Sequence, residues 1–556
     1  MLKSHNKGLC GSPVSHNPNE DVSLQKSVGF FLLIGLFIVY VIEASVFMAG
    51  GSLSRWMLPL AMIADIFLCY TLMGFGRKTM WCILISFFIM LSAIILSCFT
   101  MDYSWDGNFY HQETVARLLG GWNPYVYTDS SGEFSLWTLH YAKCIELIGA
   151  SIAMASGYIE AAKAVNIIII TSTAFFVYDF ICKQSWTGSK TETLFLTVFI
   201  ICNPIGICQC FTFYIDYTKY YYIILTVVSA ISLVRSNHYM DYMVFAAVII
   251  LAIGTKFNIF FEEGIVIVAI LLWVAVTRDR KAFCRLFLCA SFSGIIGVIL
   301  SYHPYVTNVI SNGNPFYPLL GDKTVDIMTS NTPEIYDGNN RITNFFISLF
   351  SSEVPSTDRR IGGFGVLMPV MLILSLAVQL YYRRRIHPVL LYASGWVMMS
   401  CFFFEQSWWA RYICQLWLIP VIGLIVIMYI KSKVNVYLKW GMLGCGLATT
   451  LLSFCGVLYS LYTKGCYREC IFSLTEGSPV RVANASPQVI RHFNENGTIV
   501  IPAEVENLDR KCSIYYYGDD DPSVYPIVEL TPEQLESLYK KGTKYHLNID
   551  KQRLRP

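Results

Sequence analysis

Apolar runs separated by short polar loops fill the chain from about residue 28 to residue 462. Runs of about 18 or more apolar residues, almost free of charge, are the pattern of helices that cross a hydrocarbon layer. They predict spans near 28–49, 56–75, 80–101, 162–181, 193–210, 219–234, 242–256, 259–276, 286–302, 364–382, 388–404, 412–430 and 440–462, about 13 in all. Two long polar segments, 102–160 and 303–363, interrupt the series, and a polar tail, 463–556, follows it. Within the tail "GTIVIP" and "CSIYYYG" read as strands, and "TPEQLESLYKKG" opens with a capping box before a short helix. The tail is therefore expected to form a small α/β domain.

Composition agrees with a membrane chain. Hydrophobic residues make up 55% and charged residues 14%, where a soluble domain carries about a quarter charged. The balance of 41 Lys and Arg against 38 Asp and Glu leaves a net charge of +3, with no basic stripe interleaved with aromatics. Nucleic acid is not an indicated partner.

Charge also orients the spans. Residues 1–27 are polar, and the first apolar run starts too late and runs too long for a signal peptide, so they read as a cytoplasmic tail. Lys and Arg collect in alternate short loops: Arg77 and Lys78, Lys183 and Lys190, Arg235, Arg278 to Arg285, Arg383 to Arg385, Lys431 and Lys433. Positive loops face the cytoplasm. This places segments 102–160 and 303–363, and the tail 463–556, on the outer face.

The stretch "SLWTLHYAKCIELIGASIAMASG" (135–157) would reverse that alternation if it crossed the membrane. It also carries His140, Lys143 and Glu146, which are costly in hydrocarbon without partners. It is expected to be a juxtamembrane or re-entrant helix on the outer face. Most of the 18 cysteines lie in apolar runs, where cysteine behaves as a small hydrophobe. Cys466, Cys470 and Cys512 lie in the tail, and two of them could join in a disulfide there. Glu43 and Asp65 fall inside the first two spans and are expected to pair with polar groups between helices.

The densest chemistry follows the third span, in "DYSWDGNFYHQETVARLLGGWNPYVY". Asp106 admits two readings. It can be the N-cap of a helix that Gly120-Gly121 ends, with the helix N–H groups turned toward an anion at the same spot. It can also be a reactive carboxylate at headgroup level, beside Asp102. Tyr103, Trp105, Phe109, Tyr110, Trp122 and Tyr125 supply flat surfaces that suit a sugar ring or the membrane interface.

"SWDGNFYHQETVARLLGGWNPY" and "LHYAKCIELIGASIAMASGYIEAAKAVN", with "SNGNPFYPLLG", "GGFGVLMP" and "WWARYICQLWLIP" further on, resemble the C-type (GT-C fold) polytopic glycosyltransferases. More narrowly, they look like bacterial members with a W-D-x-x-x-Y-H motif in the first large outer loop. The resemblance runs from about Tyr103 to Pro420, and two extra spans before the motif depart from the simplest layout of the family. It implies a sugar moved from a polyprenyl-phosphate donor to a lipid, glycan or protein acceptor on the outer face of the cell (inner) membrane, with inversion. It also implies that Asp106 acts as general base or acceptor-positioning carboxylate.

A hydroxyl nucleophile needs such a group to take its proton, and a leaving lipid phosphate needs cations or N–H donors. Candidate substrate-binding residues are Asp102, Tyr110 and His111 in the motif, Asp216 in "FYIDYTKYYY", Lys256 in "GTKFN", Arg411 and Tyr412 in "WWARY", and Arg360 beside Arg359. His111 could bind the acceptor or orient Asp106. Each also has a plainer reading: an interfacial histidine, a solvated turn, a lysine pairing with Glu262 and Glu263, loop arginines. No D-x-D pair in an outer loop asks for a divalent ion, and no cofactor is indicated. An envelope-polysaccharide polymerase or ligase, with Arg341, Arg359 and Arg360 in its outer loop, is the first alternative. A transporter or flippase is the second, and the sequence lacks the repeat symmetry it would predict.

Overall fold

The computed structural model describes residues 22–126, 135–325, 332–516 and 526–553. Most of the expected N-terminal tail and Tyr127, the last residue of the stretch that follows the third span, lie outside the described residues.

The chain is a helical membrane protein with a small sheet near its C-terminus. Among the described residues seven helical segments are long and apolar enough to cross a membrane: Leu24–Met48, Arg77–Cys98, Ile159–Cys182, Phe257–Val276, Arg280–Leu300, Ala410–Tyr429 and Lys433–Thr475. Five shorter apolar helices join them: Met57–Met73, Cys144–Ser156, Tyr239–Thr255, Met368–Tyr381 and Pro388–Cys401. At about 1.5 Å per residue the shorter ones reach roughly 20 to 25 Å, against a hydrocarbon core of about 30 Å.

The elements that frame the site are α1 (Leu24–Met48), α2 (Met57–Met73), α3 (Arg77–Cys98), α4 (Gln112–Leu119), α5 (Leu136–His140), α6 (Cys144–Ser156) and α7 (Ala164–Cys182). They are followed by α8 (Lys190–Ile201), α9 (Pro204–Gln209), α10 (Thr218–Ser236), α11 (Tyr239–Thr255) and α12 (Phe257–Val276). α1 lies inside the bundle, packed on α2, α3, α6, α7 and α11. Its Glu43 accepts a hydrogen bond from Ser151 of α6. Asp65 of α2 faces Gly35 of α1, and neither of its carboxylate oxygens has a hydrogen-bond partner, so the pairing expected for Asp65 is not found.

The run read as one span over 193–210 is two helices. Pro204 lacks an N–H and disfavours helical geometry in the residue before it. Asn203 caps α9 by accepting from the Ile205 N–H. The break frees the last carbonyls of α8, and aromatic donors from elsewhere take them. Tyr220 and Tyr221 donate to the carbonyls of Ile200 and Ile201, and Trp417 Nε1 donates to that of Phe199. The tyrosine run "YYY" thus supports a helix end within the bundle.

The stretch 135–157 folds as α5 and α6, the second ended by Gly157 in the left-handed region (φ 81°). α6 is buried over most of its length and packs on α1, α4 and α11. Its charges have partners. His140 Nδ1 meets Asn308 at 2.8 Å, Lys143 donates to the Tyr141 carbonyl at 2.5 Å, and Glu146 pairs with His111.

The last long helix, α13 (Lys433–Thr475), has 43 residues and a length of about 65 Å. It passes position 462 without a break, and Tyr467, Cys470, Ile471 and Phe472 enter the core of the tail domain. That domain holds β1 (Val480–Ala483), α14 (Pro487–Glu495), β2 (Val500–Ala503), β3 (Ser513–Tyr515), β4 (Ile527–Glu529) and α15 (Pro532–Lys544). The strands lie in the order β2-β1-β4-β3. β1 and β2 run parallel across α14, and the other two pairings are antiparallel. The strands expected in 497–502 and 512–518 are present as β2 and β3, with Tyr517 and Gly518 outside the described residues, and the capping box at Thr531 is present.

Cys466, Cys470 and Cys512 are free thiols, which corrects the expected disulfide. The first two stand one turn apart on α13, where Cβ atoms are about 5–6 Å apart and a disulfide needs about 3.5–4.5 Å.

Candidate active site

The motif helix begins before Asp106. Trp105 and Asp106 are already helical, Asp106 has φ −56° and ψ −36°, and its side chain makes no capping hydrogen bond. The N-cap reading of Asp106 and the anion-binding helix end that went with it are therefore corrected. Gly107–His111 forms a π-helical turn closed by the Gln112 N–H on the Gly107 carbonyl, after which α4 continues to the stop at Gly120-Gly121. Such turns are rare and widen the helix by one residue. Within this turn Tyr110 returns its hydroxyl to Asp106, and His111 turns to Glu146.

The Asp106 carboxylate points inward. Its Oδ2 accepts from Arg411 Nη1 at 2.6 Å and from the Tyr110 hydroxyl at 3.2 Å. Arg411 also faces Asp216 Oδ2 at 3.6 Å and, through Nε, Asp358 Oδ1 at 3.3 Å. Lys256 donates to Asp216 Oδ1 at 2.7 Å. Asp106, Asp216, Lys256 and Arg411 are each less than 10% exposed. Three carboxylates thus share two cations out of water, a setting in which each charge needs its partner.

Rings wall the cluster. The Arg411 guanidinium lies 4.1 Å from the Trp409 ring centre, 5.1 Å from that of Tyr214 and 5.4 Å from that of Tyr412. Lys256 lies 5.9 Å from the Tyr412 ring and Arg360 5.6 Å from the Trp409 ring. Tyr141 meets Tyr110 edge to face at 5.8 Å.

Local breaks in the chain present these groups. Lys256 is the one extended residue (φ −163°, ψ 147°) between α11 and α12. Asp216 sits in the turn before α10, and Arg411 and Tyr412 lie on the 3₁₀ segment Ala410–Trp417. Gly363, at φ 118°, lets the 358–365 loop pass so close that a Cβ would lie 2.6 Å from the Ala410 side chain.

Electrostatics follows the pairing. Burial alone would raise the Asp216 carboxyl, but Lys256 and Arg411 overcome it and hold the group below the usual carboxylate range. For Asp358 burial outweighs the pull of Arg411, and its carboxyl is raised. Burial, aided by the neighbouring Asp106, pushes the Tyr110 hydroxyl well up, so it remains a donor.

Of the residues singled out from sequence, Asp106, Tyr110, Asp216, Lys256, Arg411 and Tyr412 converge, and Arg360 borders them. His111 stands next to the cluster but bonds Glu146, its Nδ1 2.5 Å from Glu146 Oε1. Asp102 serves the backbone instead: its oxygens accept from the Ser104 and Phe213 N–H groups at 2.7 and 2.8 Å, fixing the loop that carries Tyr214 and Asp216. Arg341 donates to the Phe402 carbonyl and Arg359 pairs with Glu353 at the surface, so of the three loop arginines Arg360 alone reaches the cluster rim. Of the glutamates expected to pair with Lys256, Glu262 faces Lys219 at 3.7 Å and Glu263 accepts from Thr226.

Asp358, Tyr214, Trp409 and Glu146 were not anticipated as site residues. Asp358 lies in a long polar loop where no pattern marks it, and Glu146 drew notice only as a charge that needed a partner.

The tail domain grips the motif from the other side. Gln488 donates to the Asn108 carbonyl at 2.6 Å and Arg468 to its side-chain oxygen at 3.3 Å. Gln112 bridges Glu160 and His492 at 3.0 and 3.2 Å. Among the described residues no group of three or more His, Cys, Asp or Glu side chains is placed to hold a metal ion. No protein-family model matches the chain, and no curated protein matches it in sequence.

Proposed function

We propose that the protein is a GT-C-type membrane glycosyltransferase. It moves a hexosyl or pentosyl unit from a polyprenyl-phosphate donor to a hydroxyl of a lipid, glycan or protein acceptor, with inversion. In this reading about 13 helices cross the cell (inner) membrane, the N-terminus is cytoplasmic, and the motif loop, segment 303–363 and the tail domain lie outside. The observation that carries the proposal is the buried Asp106–Arg411 pair, set among Lys256, Asp216 and the rings of Trp409, Tyr412 and Tyr214.

The parts match the needs of such a transfer. A lipid phosphate asks for cations at its leaving oxygen, and Arg411, Lys256 and Arg360 all lie against the rings of Trp409 or Tyr412. A sugar ring packs on aromatic faces, and Trp409 and Tyr412 supply them. Arrival of an anionic phosphate competes for Arg411 and loosens its hold on Asp106. Asp106 then meets the acceptor hydroxyl as its base or its positioning carboxylate.

The test is transfer by the purified protein from a panel of undecaprenyl-phosphate-linked hexoses and pentoses. Asp106→Asn is expected to lower the rate by about 10²-fold or more, the usual weight of an acid–base group. Transfer within a few-fold of wild type would remove Asp106 from the chemistry.

A further inference from the structure

His111 has the geometry of an oriented base. Its ring is 1% exposed. Nδ1 is fixed on Glu146 Oε1 at 2.5 Å, while Nε2, equally out of water, has no hydrogen-bond partner. A carboxylate on one imidazole nitrogen sets the tautomer, leaves the other nitrogen to accept a proton, and stabilises the cation that results. A buried polar atom with no partner is costly, and a ligand hydroxyl would satisfy this one.

The surroundings point the same way. Asp216 Oδ2 also accepts no hydrogen bond. His111 is close enough to contribute, after Lys256 and Arg411, to holding the Asp216 carboxyl low. The Tyr110 ring lies between the two halves of the site: it is 4.2 Å from the His111 ring, and its hydroxyl donates to Asp106. Asp106 itself is already engaged, because one oxygen carries both Arg411 and Tyr110. The charged groups around His111 are Glu146 and, beyond it, Lys143 at the start of α6, Asp216 with its cations, and Asp106 on its own turn. His492 and Glu160 face Gln112 on the other side of the helix.

We propose that His111 is the catalytic base of the transfer, that Glu146 positions it, and that Asp106 orients the acceptor. This rests on the glycosyltransferase reading. The acceptor hydroxyl gives its proton to His111 Nε2 as its oxygen bonds to the anomeric carbon of the donor. The bond from that carbon to the phosphate oxygen breaks, and its electron pair leaves on the lipid phosphate. Glu146 balances the imidazolium until the proton passes to the departing phosphate or to water.

The experiment uses the full-length protein in detergent with the same undecaprenyl-phosphate-linked sugars, measured from pH 5 to 9. His111→Gln is expected to cut kcat by about 10²-fold or more with KM changed little, and to abolish the fall in rate on the acid side. Glu146→Gln should cost less in kcat and shift that acid limb, and Glu146→Asp should restore part of the loss. Thermal melts establish that each variant is folded. A folded Glu146→Gln protein with an unmoved acid limb overturns the proposal, as does a His111→Gln protein within threefold of wild type. Normal transfer by Asp106→Asn overturns the orienting role given to Asp106, whereas absence of transfer by the wild-type protein from every donor fails the glycosyltransferase reading instead.

Discussion

At Gly107 the π turn beside Asp106 depends on a missing side chain. A Cβ there would lie 2.0 Å from Asp102 Oδ2 and 2.2 Å from Ser104 Oγ. Gly107→Ala must push apart the carboxylate that holds the Tyr214 loop and the turn that carries Asp106. Overpacking of this kind costs about 1–3 kcal/mol. The variant is expected to melt several degrees lower and to lose transfer together with stability, which thermal melts and activity assays on the same preparation will show.

Arg411→Lys tests a different property of a single residue. Arg411 serves three carboxylates and stacks on Trp409, and an ammonium cannot reproduce that fork or its stacking. Lysine should keep the charge yet lower the rate by about tenfold or more, whereas a role for the charge alone would predict a near-normal variant. Lys143 adds a dependence on pH. Burial pushes its amine down to about 8, against the smaller opposing pull of Glu146. Between that value and the ordinary lysine range the unfolded chain binds more protons than the folded one, so stability rises with pH there. Lys143→Met should raise the melting temperature at pH 7, and the gain should shrink as pH climbs from about 8 toward the ordinary lysine range near 10.4.

Charged residues at the ends of apolar runs were legible in the sequence. Asp106, Asp216, Lys256 and Arg411 each stand where a span stops, and the helix ends bring them together. Irregular elements were not legible. Nothing in "GNFYH" marks a π-helical turn, because what accompanies the extra residue is contact with residues distant in sequence, His111 with Glu146 of α6 and the Tyr110 ring with that of Tyr141. The break at Pro204 was written in the sequence, but the apolar residues on either side hid it. β1 and β4 are too short to show an alternation, and α13 runs past 462 because its polar extension buries one face in the tail domain. That extension matters to the site. Arg468 and Gln488 hold Asn108, the second residue of the π turn. Gln488→Ala is expected to lower kcat several-fold while the melting temperature stays within a few degrees of wild type. An unchanged rate would mean that the tail domain only rests on the motif.

For the whole molecule, the proposed chemistry depends on which face of the membrane the site occupies. Every cationic loop read as cytoplasmic must lie opposite the motif, so one reversed loop would break the assignment. Two exposed positions separate the alternatives. Gly121, in the turn that ends α4, is exposed, and a Cys182 thiol at the end of α7 is exposed beside Lys183. Gly121 has φ 93° with no atom within 4 Å of a built Cβ, so Gly121→Cys strains only its own turn. In intact cells carrying a variant in which every cysteine other than Cys182 is replaced by serine, a membrane-impermeant maleimide should label Gly121→Cys and spare Cys182, and permeabilisation should expose Cys182. Removing Cys182 by Cys182→Ser should abolish the second signal and leave the first. The reverse pattern would put Asp106, Arg411 and the tail domain in the cytoplasm, where nucleotide-linked sugars are the available donors. It would end the polyprenyl-phosphate reading even if the buried cluster proved essential.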